Sequence, residues 1–328
     1  FLSSLLLLTL SNAFAQDHWT ADEFIAATGV RPGSVASRDL PGWTANPTIR
    51  IIGAAGDIGE LADQFPAARF VQDDLSDAEV IIGSCPADLI GSSEKLVWVQ
   101  IFSAGAERCL SVEKLKNGDV LLTNGQKMSA PAIGEHAVAM SLSLARGLVH
   151  YGKAMPEGGW DRAWARTGGI VSVNGKTMLV VGLGGIGSAT AKRAKALGMR
   201  VVATRNSSRE GPPYVDYVGL SDELGELVAE ADIIVNALPL TPSTSGLFDA
   251  DLFSRVKPGA YFVNVGRGGT VDTDALLAAL QSGHLAGAGL DVTDPEPLPA
   301  EHPLWQMSNV IITPHISWAG FDRRYQGM

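Results

Sequence analysis

The sequence predicts an α/β protein of two domains, each a doubly wound parallel sheet with helices on both faces. From about residue 48, short apolar runs bounded by Gly, Asp or Asn alternate with helical stretches, as expected for strands buried on both sides. The runs fall into a group of five and a group of six, parted by a long apolar helical stretch. The length of 328 residues exceeds one ordinary domain and suits two.

Composition narrows the function classes. Hydrophobic residues at 46% and charged residues at 18% are enough for real cores. A net charge of −10 offers no basic face, so nucleic acid is not an expected partner. Residues 1–15, "FLSSLLLLTLSNAFA", form an apolar run that ends in Ala13-Phe14-Ala15 before Gln16. Small residues two apart before a polar stretch match an export cleavage site, and the run is too short to cross a bilayer. A periplasmic or secreted protein is therefore expected. A first helix of the domain, in a cytoplasmic protein, is the other reading, disfavoured because the leucines lack amphipathic spacing. Without an initial Met or a charged lead, the signal reads as clipped at its start. No other segment is long and apolar enough for a membrane span.

The first domain is expected over residues 16–125, with strands in "TIRIIGAAG", "RFVQDD", "AEVIIGSC", "LVWVQIFSAG" and "DVLLTNG". Cys85 and Cys109 each follow one of these strands. Two buried thiols and a disulfide are both open, and their spacing suggests no metal site. The stretch from Ala130 to about Leu148 is helical and apolar on most sides, which suits burial between domains or subunits and points to a homodimer. In the aperiodic segment after it, Trp160 and Trp164 read equally as anchors for a partner subunit or as packing over a loop. A second domain, residues 126–316, follows, with strands in "KTMLVVGLGGIG", "RVVATR", "ADIIVNALPL", "GAYFVNVGRGG", "HLAGAGLDV" and "NVIITPHIS".

Gly182, Gly184 and Gly187 fit G-x-G-x-x-G between a strand and a helix, the turn that cradles a dinucleotide pyrophosphate on a helix N-terminus. An acid about twenty positions on would bind the ribose 2′-hydroxyl of NAD. That place is held by Arg205, and no acid follows until Glu210. A guanidinium favours a 2′-phosphate through charge-assisted bonds worth about 1.5–3 kcal/mol each. Ser207 and Ser208 add donors, and Arg209 a second charge. NADP(H) is the expected cofactor, with NAD(H) and a solvated surface arginine as the other reading.

Three further stretches gather polar residues at strand ends, where α/β sheets bind ligands. Arg267 lies between glycines in "VNVGRGGTVD" and suits a bidentate grip on a carboxylate. His315 ends "VIITPHISW" and suits proton transfer near neutral pH. Glu296, in the proline-stiffened "GLDVTDPEPLP", would orient that histidine and favour its charged form. Each has a plain structural reading alone; together they suggest carbonyl reduction. His136, His284 and His302 are read as structural, with no partner at metal-ligand spacing, and no metal is expected. Trp318 reads equally as a pocket wall or as filler at the domain junction.

With "GLGGIG", "LPLTPSTSGLF", "VNVGRGGTVD", "AGLDV", "DPEPLPAEHPLW" and "NVIITPHIS" in one chain, the sequence resembles the D-isomer-specific 2-hydroxyacid dehydrogenase family. The resemblance implies a flavodoxin-like substrate domain and a Rossmann cofactor domain with a cleft between them, and a homodimer. It implies Arg267, Glu296 and His315 as the catalytic set. It also implies substrate binding by Arg267, His315 and the backbone N–H groups of Ala104 and Gly105 in "SAGAE". Gly185, Ile186, Pro239, Gly266 and Asp291 would complete the cofactor site, with Asp291 at the nicotinamide carboxamide. Arg205 resembles the NADP-preferring glyoxylate and hydroxypyruvate reductase branch. A formate or phosphite oxidiser and a nucleotide-sensing interaction protein are the rival readings; the carboxylate of Glu296 speaks against the formate type, whose resembling enzymes carry an amide. Residues 317–328 are expected to return to the first domain and to leave it incomplete where the sequence stops.

Overall fold

The computed structural model describes residues 39–53, 62–63, 65–72, 77–167 and 169–320. The export signal expected over residues 1–15 lies outside the described residues, as do residues 321–328. The chain divides into two compact units after Met128, and the second runs to Gly320.

In the first unit, five short apolar runs pair into a parallel sheet: β1 Thr48–Ile51, β2 Arg69–Val71, β3 Val80–Gly83, β4 Trp98–Ile101 and β5 Leu121–Thr123. Their order β2-β1-β3-β4-β5 is the flavodoxin-like one. Ile81, Val99 and Ile101 from the central strands pack with Ile90 of the helix Ala87–Ser92 and with Leu115. Cys85 and Cys109 are joined in a disulfide, which ties the end of β3 to the segment after β4.

Among the described residues the second unit holds seven parallel strands: β6 Thr177–Val181, β7 Arg200–Thr204, β8 Tyr217–Gly219, β9 Ile233–Asn236, β10 Ala260–Asn264, β11 Leu285–Leu290 and β12 Val310–Ile312. Six were expected. The addition, β8, has three residues and lies at the sheet edge against β7, too short for its apolar run to stand out. The order β12-β11-β10-β9-β6-β7-β8 puts β6, first of this unit in sequence, beside β9, fourth in sequence. Loops leave the carboxyl ends of these two strands in opposite directions, which opens a crevice there.

Both faces of this sheet are buried. On one, Phe248, Phe253 and Phe262 meet with ring centroids 4.9–6.0 Å apart. On the other, Ile133, Ala137, Met140 and Leu144 of the helix Ala130–Ala145 pack with Met178, Val180 and Val235. The same helix also packs closely along the helix Gly185–Ala196, where Gly134 lies against Ala189 and Thr190, so its apolar surface is covered by a helix as well as by the sheet of its own unit. Trp164 stacks on His150 with centroids 4.1 Å apart, so it serves local packing, whereas Trp160 is 87% exposed.

Residues 317–320, placed with the first domain on sequence grounds, belong to the second unit. The Ser317 amide donates to Asp291 Oδ2 (3.1 Å) and Trp318 Nε1 donates to the His315 carbonyl (3.0 Å), which anchors them to the loops after β11 and β12. Trp318 is exposed at this turn, and among the described residues no helix is long and apolar enough to cross a membrane.

Candidate active site

The glycine turn joins β6 to the helix Gly185–Ala196. Gly182 has φ +99°, a conformation that side chains resist. A Cβ at Gly187 would stand 2.1 Å from the Gly182 carbonyl oxygen, so only glycine lets helix and strand approach this closely. At Gly184 nothing lies within 4 Å of where a Cβ would be, which leaves the backbone open to a ligand. Gly185, Ile186 and Gly187 form the first helical turn, whose N–H groups lack intrahelical acceptors and favour an anion. This cradle fits a dinucleotide pyrophosphate.

Arg205 directly follows β7. Its amide donates to the Gly219 carbonyl of β8 (3.0 Å) and its Nη1 to the Glu210 carbonyl (2.9 Å), so the guanidinium braces the loop that carries Ser207 and Ser208. In sequence no acidic residue follows β7 before Glu210. Arg209 is engaged elsewhere: it pairs with Glu223 Oε1 (2.8 Å) and donates to the Tyr217 hydroxyl (3.0 Å). Hydrogen bonds from Arg209, Tyr217 and the Leu220 amide hold the Glu223 carboxyl down at about 2. The second charge expected from Arg209 is therefore countered by a neighbouring anion.

A buried polar network sits at the ends of β9 and β10. Asn236 Nδ2 donates to Asn264 Oδ1 (3.1 Å) and to Thr270 Oγ1 (2.7 Å). Asn264 Oδ1 accepts from the Gly266 amide (3.0 Å), while Asn264 Nδ2 and Thr270 Oγ1 both donate to the Arg267 carbonyl (3.1 and 2.7 Å). The backbone of Gly266 and Arg267 is thereby pinned from within the sheet. The half-buried Arg267 side chain donates from Nη1 to the Gly266 carbonyl (2.8 Å). Pro239 lies just after β9, its carbonyl held by Thr244 Oγ1 (2.7 Å).

His315 and Glu296 meet across the ends of β12 and β11: Nδ1 of the imidazole is 2.7 Å from Oε1 of the carboxylate. His315 has φ +54°, unusual for a residue with a side chain, and its amide donates to the carbonyls of Asp291 (2.8 Å) and Thr313 (2.9 Å). The Asp291 side chain, 1% exposed at the residue level, accepts from Thr313 Oγ1 (2.6 Å), the Ile316 amide (2.9 Å) and the Ser317 amide (3.1 Å). Burial pushes this carboxyl up, but the hydrogen bonds from Ser317, Thr313 and Ile316 outweigh it and hold the group below the usual range. Asp291, expected at a carboxamide, thus also organises the turn that presents His315.

Arg267, Glu296 and His315 follow three adjacent strands in the order β10, β11, β12, so the topology gathers them at one edge of the sheet. Ala104 and Gly105 lie in the first unit on the loop after β4, with Asn124 Nδ2 donating to the Ala104 carbonyl (2.7 Å) and Ser103 Oγ to that of Gly105 (2.8 Å). His284 and His302 have structural partners, the Val256 carbonyl (2.8 Å) and the Leu304 amide (3.3 Å). His136 departs from that pattern, because its Nε2 reaches Thr313 Oγ1 (3.0 Å) in the Asp291 network. Sequence reasoning also missed Asn236, Asn264 and Thr270. A signal existed for two of them: an asparagine closes each of two neighbouring apolar strands.

A cradle that fits a pyrophosphate at the switch point of a parallel sheet, with a histidine–carboxylate contact at the ends of β11 and β12 along the same edge, is the arrangement of a nicotinamide-nucleotide-dependent dehydrogenase. Residues 138–317 match the family description "D-isomer specific 2-hydroxyacid dehydrogenase, NAD binding domain". The chain is 34% identical over 255 residues to glyoxylate/hydroxypyruvate reductase B of Escherichia coli O9:H4 (strain HS), covering 76% of this chain and 78% of that one. It is similar to the D-isomer specific 2-hydroxyacid dehydrogenase from Xanthobacter autotrophicus Py2 solved with NADPH and MES (TM-score 0.75, 27% identity, 86% of this chain and 92% of that one). It is also similar to the NADPH-dependent glyoxylate/hydroxypyruvate reductase from Sinorhizobium meliloti solved with NADP and sulfate (TM-score 0.75, 25% identity, 86% and 92%). The chain belongs to the D-isomer specific 2-hydroxyacid dehydrogenase family and is an NAD(P)-dependent oxidoreductase of 2-hydroxyacids.

Proposed function

We propose that this dehydrogenase prefers NADP(H) and works mainly as a reductase of small 2-oxoacids such as glyoxylate or hydroxypyruvate. The observation that carries the cofactor preference is Arg205 at the end of β7, where a carboxylate would repel a 2′-phosphate and a guanidinium attracts it. The names of the similar reductases support the substrate class.

The nicotinamide nucleotide, when bound, supplies the hydride. The chain does the rest. Arg267 binds the substrate carboxylate through its planar fork and draws electron density from the neighbouring carbonyl. His315 donates a proton to the carbonyl oxygen from Nε2, because Nδ1 is committed to Glu296. Glu296 fixes the ring and stabilises its charged form until the proton leaves. In the reverse direction neutral His315 takes the hydroxyl proton.

Initial rates with glyoxylate and hydroxypyruvate, each with NADPH and with NADH, test the reading. NADPH should win in kcat/KM, and Arg205→Asp should cut that preference by about tenfold or more, as loss of one charge-assisted bond implies. An NADH preference in the unaltered enzyme overturns the cofactor assignment and leaves the family intact.

A homodimer and an exported protein complete the proposal. The exposed Trp160 and Met155 support the first, and the apolar residues 1–15 the second. Light scattering should show a dimer that Trp160→Asp weakens. Cell fractionation that finds the chain in the cytoplasm with residues 1–15 intact removes the export proposal.

A further inference from the structure

We propose that His136 is a positioning residue for the reaction: through Thr313 it secures the Asp291 carboxylate, which holds the turn that presents His315. The inference rests on the reading of His315 as the proton donor.

The direction of each hydrogen bond follows from counting protons. Thr313 Oγ1 lies 2.6 Å from Asp291 Oδ1, an ionised carboxylate that only accepts. The hydroxyl has one proton and spends it there. His136 Nε2, 3.0 Å from the same hydroxyl oxygen, must therefore be the donor, so Nε2 carries a proton whatever the charge of the ring. That Nε2 is also 3.8 Å from Asp291 Oδ1. The relay runs in one sense: His136 N–H to Thr313 O–H to Asp291 carboxylate.

Asp291 then grips three consecutive residues. Its carbonyl accepts from the His315 amide, Oδ1 from the Ile316 amide and Oδ2 from the Ser317 amide. His315 at φ +54° occupies a backbone region that a residue with a side chain keeps only where its surroundings over-determine it. Those bonds supply the over-determination. His136 supplies the far end, from the helix Ala130–Ala145, 177 residues away in sequence. Without it the Thr313 hydroxyl is free to turn, the buried carboxylate loses its charge-assisted donor, and the turn loosens. The His315–Glu296 register goes with it, and a misplacement of about 1 Å is enough to cost up to about a hundredfold in rate.

Four single variants of the whole chain test this: His136→Phe, His136→Gln, Thr313→Val and Thr313→Ser. The expectation is that His136→Phe and Thr313→Val lower kcat by about tenfold or more. His136→Gln and Thr313→Ser keep a donor and a hydroxyl and should recover most of the loss. Unchanged kcat in the Phe and Val variants overturns the proposal. So do Gln and Ser variants as impaired as the other two, since bulk rather than hydrogen bonding would then matter. A second readout needs no turnover: nitrogen NMR of the histidine rings. It should show a proton on Nε2 of His136 and displaced His315 signals in Thr313→Val. A ring protonated only at Nδ1, or His315 signals that do not move, overturns the relay. A protein inert toward all 2-oxoacids that still passes the NMR test sinks the reading of His315 as proton donor and keeps the relay.

Discussion

His315 Nδ1 and Glu296 Oε1 stand 2.7 Å apart, joined across the ends of two neighbouring parallel strands. The contact spends one ring nitrogen, and in the proposed mechanism Nε2 serves the substrate. General acid–base catalysis of this kind contributes about 10²–10⁴-fold. His315→Ala should lower kcat with a 2-oxoacid by that order, while fluorescence titration shows nucleotide affinity unchanged. Glu296→Gln should fall between the two enzymes, since an amide orients the ring but does not stabilise its charge. Equal rates in all three would remove the pair from the chemistry.

Glu223 offers a local test of the loop around Arg205. Its carboxyl is held at about 2 by hydrogen bonds from Arg209, Tyr217 and the Leu220 amide. Arg209→Ala should move the Glu223 titration, followed by carboxyl NMR, up toward the ordinary value of about 4.3. If Arg209 instead serves the cofactor, the same variant will weaken NADPH binding and leave Glu223 where it is.

Asp291 should leave a signature in acid. Its carboxyl is depressed in the folded state, burial being outweighed by hydrogen bonds from Ser317, Thr313 and Ile316. A depressed folded value contributes stability that is complete above the unfolded value, about 3.9 for aspartate, and is lost as pH falls through the folded one. Urea unfolding of the unaltered protein and of Asp291→Asn should therefore differ by a constant amount from pH 7 to about pH 5, and the gap should close below about pH 4. A gap that widens on acidification contradicts the sign.

The Cys85–Cys109 disulfide closes a loop with a sequence separation of 24. Chain-entropy reasoning assigns such a loop about 3.5 kcal/mol of stabilisation. Replacing both cysteines by serine should speed hydrogen exchange in peptides that span β3 and β4, and leave peptides of β6 and β9 as they were. Uniform protection in both proteins would mean the bond adds nothing to the first unit.

Residue order was enough to read the class of fold, eleven of the twelve described strands, the glycine turn and the identity of the residues gathered at the sheet edge. These are local properties: an apolar run declares a buried strand, and Gly182 and Gly187 are required by a turn and a close approach within a few residues of themselves. The exception, β8, is an edge strand whose three residues carry too short a pattern. Which polar groups share bonds across long separations emerges only in the folded chain. Arg209 reads as a free cation in sequence until Glu223 is seen beside it. His136 reads as one more helical histidine until Thr313 and Asp291 arrive from two strand ends. Asn236 and Asn264 look alike in sequence, and only adjacent strands make them a network that pins Arg267. Hydrogen bonds act over about 3 Å in space and carry no mark of the chain distance they bridge, so the packing of the sheet, not the order of residues, chose these partners.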